Sequence, residues 1–130
     1  MAERVVRFWL SAKDPERLGR FYEGLFDWRV RTGGLTSVEA GVTGRLHLLD
    51  TGGEIPGLIA LEPERRGAAL MVEVDDLESA LERARRMGAS LAWRETFELA
   101  EAGDLDGRFE LAAIVDPEGN RVELLAVASA

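Results

Sequence analysis

Apolar side chains recur along this chain with two distinct periods. From Leu18 onward they fall at Leu18, Phe21, Tyr22, Leu25 and Phe26, the spacing that lines one face of a helix, while Glu16, Arg20 and Glu23 take the other face. Asp14 and Pro15 supply the start, because an aspartate accepts from the free amides of a first turn and a proline at the first helical position loses no hydrogen bond. A helix is predicted from Pro15 to near Phe26, its apolar stripe facing a core. The pattern returns behind Asp76 with Leu77, Ala80, Leu81, Ala84 and Met87 on one face. Arg85 and Arg86 sit at its carbonyl end, where positive charge complements the helix dipole, and Gly88 stops it.

The two caps, Asp14 and Asp76, lie 62 positions apart, nearly half the chain. The same offset carries Phe8, Leu10 and Ala12 onto Leu70, Val72 and Val74, so the chain reads as an internal duplication in which each half begins strand, helix, strand. The second half offers strands near 69–74, 90–97, 108–115 and 121–127, the last two joined by Asp116-Pro117-Glu118-Gly119-Asn120, which makes a βαβββ unit. The first half offers 28–32, 35–42, 45–50 and 57–62, one run too many for the same unit unless one is a bulged continuation. Gly33-Gly34, Gly52-Gly53 and Gly119-Asn120 read as turn material. The acidic stretch Glu98 to Asp106 reads as an irregular surface loop over a cleft. A single domain, 1–130, is expected, with module one at about 4–62 and module two at about 68–128.

Composition narrows the chemistry. There is no cysteine, so disulfides, thiolate metal sites and a cysteine nucleophile are excluded. With 24 acidic and 16 basic side chains the formal charge is -8, which repels nucleic acid and anionic membranes and could attract a cationic small molecule. No segment has the length and apolarity of a signal peptide or a membrane span, and a cytoplasmic location is the expectation. No phosphate loop or nucleophile elbow occurs, and His47 is the one histidine.

The stretches RFWLSAKDPERLGRFYEGLFDW, ALMVEVDDLESALERARRMGASL and DPEGNRVEL, in that order and spacing, resemble the signature stretches of the vicinal oxygen chelate superfamily, which includes glyoxalases, bleomycin-resistance proteins and extradiol dioxygenases. The resemblance implies an α+β fold of two tandem βαβββ modules, curled into a half-open barrel with a ligand cleft inside, and a homodimer. It also implies that any metal is held from the first and last strands of the modules. The first-strand position falls on Arg7 and, by the offset, on Ala69; the last-strand position falls on Glu123 and on Leu61, with Glu62 beside it. Only Glu123 is a ligand type, and a catalytic divalent metal needs about three protein ligands. No cofactor is therefore expected, and a divalent metal is disfavoured. A register shift of one residue would alter this only by turning His47, Glu62 or Glu73 inward toward Glu123.

If Arg7 and Glu123 both point into the cup, a guanidinium stands where the family's cation stood, and a buried Arg7–Glu123 ion pair is the hypothesis. The alternative puts Arg7 on the outer face at the sheet edge and Glu123 in water. Trp9 and Trp93 offer flat surfaces for an aromatic or cationic ligand, or else fill the core or a dimer interface; Trp28 reads as core. His47, alternating with Leu46 and Leu48, reads as a half-exposed strand residue. Three functional expectations remain. The first is metal-free small-molecule binding, like the bleomycin-resistance proteins, with ligand contacts from Arg7, Trp9, Trp93 and Glu123. The second is a lyase, isomerase or dioxygenase with a non-standard metal site, or with Glu123 as base. The third is a dimerisation or regulatory module whose cleft is filled.

Overall fold

In the computed structural model, which describes residues 3–128 apart from the side chain of Asp104, β1 (Arg4–Ala12), α1 (Pro15–Phe26), β2 (Arg29–Ser37), β3 (Thr43–Asp50) and β4 (Gly57–Leu61) form one βαβββ module. The second comprises β5 (Ala68–Glu73), α2 (Leu77–Arg86), β6 (Ser90–Ala100), β7 (Gly107–Val115) and β8 (Arg121–Val127), with a 3-10 turn at Gly103–Leu105. Residues 1, 2, 129 and 130 of the expected 1–130 domain lie outside the described residues. The strands hydrogen-bond in the order β1-β4-β3-β2-β6-β7-β8-β5 and close into a barrel. Within the modules β1–β4 and β5–β8 are parallel, and two antiparallel joints, β1–β5 and β2–β6, connect one module to the other.

Strand alternation divides the apolar residues between the two faces of this sheet. Trp9, Leu46, Leu48, Leu58, Ala69 and Met71 point inward and pack with Leu99, Leu111 and Leu125. Ala12, Leu49 and Ile59 point outward under α1, and Val74, Ala112 and Leu124 do so under α2. Both helices start where the caps place them: Asp14 accepts from the Arg17 amide and Asp76 from the Ser79 amide. The α1 stripe departs from expectation, because only Gly19 is buried, against Val30, while Phe21, Leu25 and Phe26 stay more than half exposed. The aromatic rings instead pack sideways on one another, Tyr22 on Phe26 and Trp28, and Trp28 on Phe8. Met87 is likewise exposed rather than packed. Among the described residues no helix is long and apolar enough to cross a membrane.

One turn reading and one loop reading change. Gly33-Gly34 is not a turn: β2 runs straight through it, which merges two of the surplus first-half runs into one strand. A side chain at Gly33 would lie 3.0 Å from the Ala100 and Glu101 carbonyls, so the close approach of β6 demands glycine there. Glu98 to Asp106 is not a loose loop either. β6 continues to Ala100, and Ala102 and Leu105 are buried in the barrel core, so this segment plugs one end of the barrel.

Gly57 carries a third close approach. A Cβ there would meet the Phe8 ring at 2.2 Å, across the parallel β1–β4 pairing in which these residues are partners. Gly57→Ala is expected to cost about 1–3 kcal/mol in urea unfolding, as overpacking does. Adding Phe8→Ala should recover part of that loss; strictly additive losses would rule out the contact as its cause.

Candidate functional site

The inner face of the barrel carries polar groups in two places. Towards the end of β1 and β4, Arg121 on β8 lies between two carboxylates. Its Nε donates to Glu123 Oε1 at 2.6 Å and its Nη2 to Glu62 Oε2 at 2.8 Å. Glu62 Oε1 in turn accepts from Trp9 Nε1 at 2.6 Å and Ser11 Oγ at 2.8 Å. The guanidinium lies 5.9 Å from the Trp9 ring centroid and 5.6 Å from that of Trp93, within cation–π range of both, and the two indoles are 6.1 Å apart. Strand parity explains the assembly: Trp9 and Ser11 alternate inward on β1, and Arg121 and Glu123 do so on β8.

The two carboxylates are driven apart in acidity. Burial raises the Glu123 carboxyl above the usual glutamate range, and Arg121 only partly offsets this; its side chain is 0% exposed and its Oε2 has no hydrogen-bond partner. Burial also pushes Glu62 upward, but hydrogen bonds from Ser11, Trp9 and Arg121 outweigh it and hold Glu62 below its ordinary value. The structure therefore favours an ionised Glu62 paired with Arg121 and a Glu123 that retains its proton more readily.

Arg7 occupies the other polar region. It is buried, at 6% exposure, and faces inward as the first of the two expected orientations has it. The expected Arg7–Glu123 pair is corrected, however: the cation on Glu123 is Arg121. Met71 on β5 is the register partner of both Arg7 and Glu123 and separates their strands, whereas Arg121 is two residues from Glu123 on the same strand face. Arg7 and Pro56 instead border two cavities at the barrel mouth. One, of about 330 Å³, is closed at the back by Leu105, Phe109 and Leu125. The other, of about 510 Å³, is lined by Arg7, Arg29, Arg31, Leu48, Asp50 and Pro56. Trp9, Trp93 and Glu123 line neither cavity.

The residues at the family's metal positions do not fit a divalent metal. Among the described residues no three metal-ligating side chains converge, and the cation between the two inward carboxylates is the Arg121 guanidinium. The inward residue at the end of the first module is Glu62, one position beyond Leu61, which is exposed. His47 is paired with Ile59 on the outward face of β3, where burial lowers its pKa. Ser11 and Arg121 lie inside the quoted stretches at positions to which the resemblance gives no role, and Arg29 and Arg31 lie outside them; strand parity around Glu123 and along Arg29-Val30-Arg31 is the signal that could have found them.

Two outcomes are expected. Arg121→Ala should cost about 3–5 kcal/mol, because it strands buried carboxylates, and its loss should overlap with that of Glu123→Ala. Arg7→Ala and Glu123→Ala should add more nearly; a larger coupling for that pair in a double-mutant cycle would restore the Arg7–Glu123 contact. The second outcome concerns pH. A carboxyl whose pKa is raised by folding contributes stability below its unfolded value, roughly 4.3, and that contribution is lost as pH rises through the folded value. Glu123→Gln should thus be more stable than the parent at neutral pH, with the gap closing below about pH 4 in urea unfolding; an unchanged or reversed gap would contradict the raised pKa.

A sequence model of the glyoxalase-like domain matches residues 7–125. No curated protein matches the chain by sequence. Among solved structures, Streptomyces coelicolor methylmalonyl-CoA epimerase in complex with 2-nitronate-propionyl-CoA is similar at 19% identity and a TM-score of 0.61, covering 97% of this chain and 98% of that one. A hypothetical protein from Bacillus halodurans is similar at 13% identity and a TM-score of 0.64, covering 100% and 98%. A glyoxalase/bleomycin resistance protein/dioxygenase superfamily member from Vibrio splendidus follows at 17% identity and 0.54, covering 96% and 99%. These structural likenesses establish the shared fold, and the family match over most of its length makes the chain a member of the glyoxalase-like domain family.

Proposed function

We propose that this glyoxalase-like protein binds a small organic molecule at the barrel mouth around Arg7, without a metal. The observation that carries the reading is Arg121, a fixed cation already paired with both inward carboxylates from which a metal would have to be held. A guanidinium there balances charge but offers no open coordination position, so binding rather than Lewis-acid chemistry is what the interior supports. The two mouth cavities, at about 330 and 510 Å³, fall within the ordinary range for small-ligand sites. They also argue against a fully filled cleft. An epimerase of the same fold holding a CoA ligand is consistent with a small-molecule role for the architecture.

A second reading, acid–base chemistry at Glu123, has the separation in acidity of Glu62 and Glu123 in its favour, since such pairs can divide acid and base roles. It ranks lower because Glu123 is fully buried and lines neither mouth cavity.

The test is elemental analysis of protein purified without a histidine tag or chelator, then challenged with zinc, nickel, manganese and ferrous iron. The expected result is no stoichiometric retention, and a melting temperature unchanged within about 1 °C on adding EDTA. Retention of one metal near one per chain would overturn the proposal and bring a metal-dependent enzyme to the front.

A further inference from the structure

We infer that the larger mouth cavity recognises an oxyanion, a carboxylate or phosphoryl group borne on a small apolar body, through Arg29 and Arg31 with Arg7 behind them. The inference rests on the binding reading above and narrows it to a ligand class. Arg29 and Arg31 are two positions apart on β2, so their side chains leave the same face, with Cα atoms roughly 6–7 Å apart. Two guanidiniums at that spacing can close on one oxyanion from both sides, each through paired N–H donors.

The surroundings leave these donors available. Asp50 is the direct cross-strand partner of Arg29, yet no ion pair forms between them, and among the described residues neither Arg29 nor Arg31 has an acidic partner. Among the described lining residues, Arg29 and Arg31 stand beside one carboxylate, that of Asp50. In a chain of formal charge -8 that is a local reversal of sign, and a concave, partly apolar wall concentrates the field of such a cluster. The whole-chain balance, which admits a cationic guest, is thus outweighed within this cavity.

Arg31 also lies against the plug segment. Gly103, in the 3-10 turn and with φ +66°, brings the backbone so close that a Cβ would lie 2.7 Å from Arg31 Nη2. The plug segment therefore passes directly beside the guanidinium. Leu48 and Pro56 supply apolar surface beside the charged groups, suited to a short hydrocarbon rather than a bare ion.

The experiment is calorimetric titration at low ionic strength with four probes sharing a six-carbon chain: hexanoate, hexyl phosphate, hexan-1-ol and hexylamine. Hexanoate or hexyl phosphate should bind in preference to the alcohol and the amine, and whichever is tighter identifies the anionic group. Arg29→Ala and Arg31→Ala, both at exposed positions, should each weaken anion binding about 10-fold, as loss of a charge-assisted contact does. Arg31→Lys should recover only part of the loss, and Arg20→Ala on the outer helix surface should change nothing. Equal or tighter binding of the alcohol or amine, or anion binding indifferent to Arg29 and Arg31, would overturn the inference while leaving the binding reading intact. Absence of binding by all four probes would count against both.

Discussion

Arg121 is the residue on which the interior of this barrel depends. A closed sheet of eight strands encloses a space that apolar side chains fill for most of its length, and into that space β4 and β8 deliver two carboxylates. Neither could remain there alone without a cost of several kcal/mol or the uptake of a proton. One planar cation with five donors resolves both at once, reaching Glu123 along its own strand and Glu62 across the barrel, with two indole faces replacing the water it has given up. The settlement is unequal. Glu62 collects hydrogen bonds from Ser11 and Trp9 as well, and Glu123 keeps one oxygen without a partner.

That arrangement divides the barrel into an end committed to structure and an end left open. The tryptophans, which offer the most binding surface per residue, are spent on Arg121 and on each other. At the opposite end, β2 begins with Arg29 and Arg31 and β3 ends at Asp50, around space that side chains do not fill. The plug between β6 and β7 seals the adjoining side of the mouth with Leu105.

Much of this was legible in the sequence because it is local. An aspartate followed by a proline, or by an amphipathic run ending at glycine, needs only neighbours within a turn to specify a helix, and both helices start where their caps say. The strands of the second half are legible for the same reason, bounded by turn residues. The first half is harder. Gly57-Leu58-Ile59-Ala60-Leu61 is apolar at every position, so alternation gives no parity, and the fixed 62-residue offset lands on exposed Leu61 instead of inward Glu62. Gly33-Gly34 is ambiguous because glycine serves a turn and a close strand approach equally well; only β6, more than sixty residues later in the chain, decides between them. The partner of Glu123 is missed because a match to metal-ligand positions directs attention to those positions and away from the residue two places earlier.

The joint between β2 and β6 has a consequence beyond enclosing the core. A sheet that returns to its first strand has no terminal strand, so fewer backbone amides and carbonyls stand ready to template pairing with another chain, those of β2 before Gly34 among them. Edge-to-edge aggregation, a usual hazard of a chain this rich in β structure, is reduced by topology rather than by the charged or bulged guard residues that an open sheet would require. Partners are left with helix surfaces, loops and the mouth as the places where they can be received.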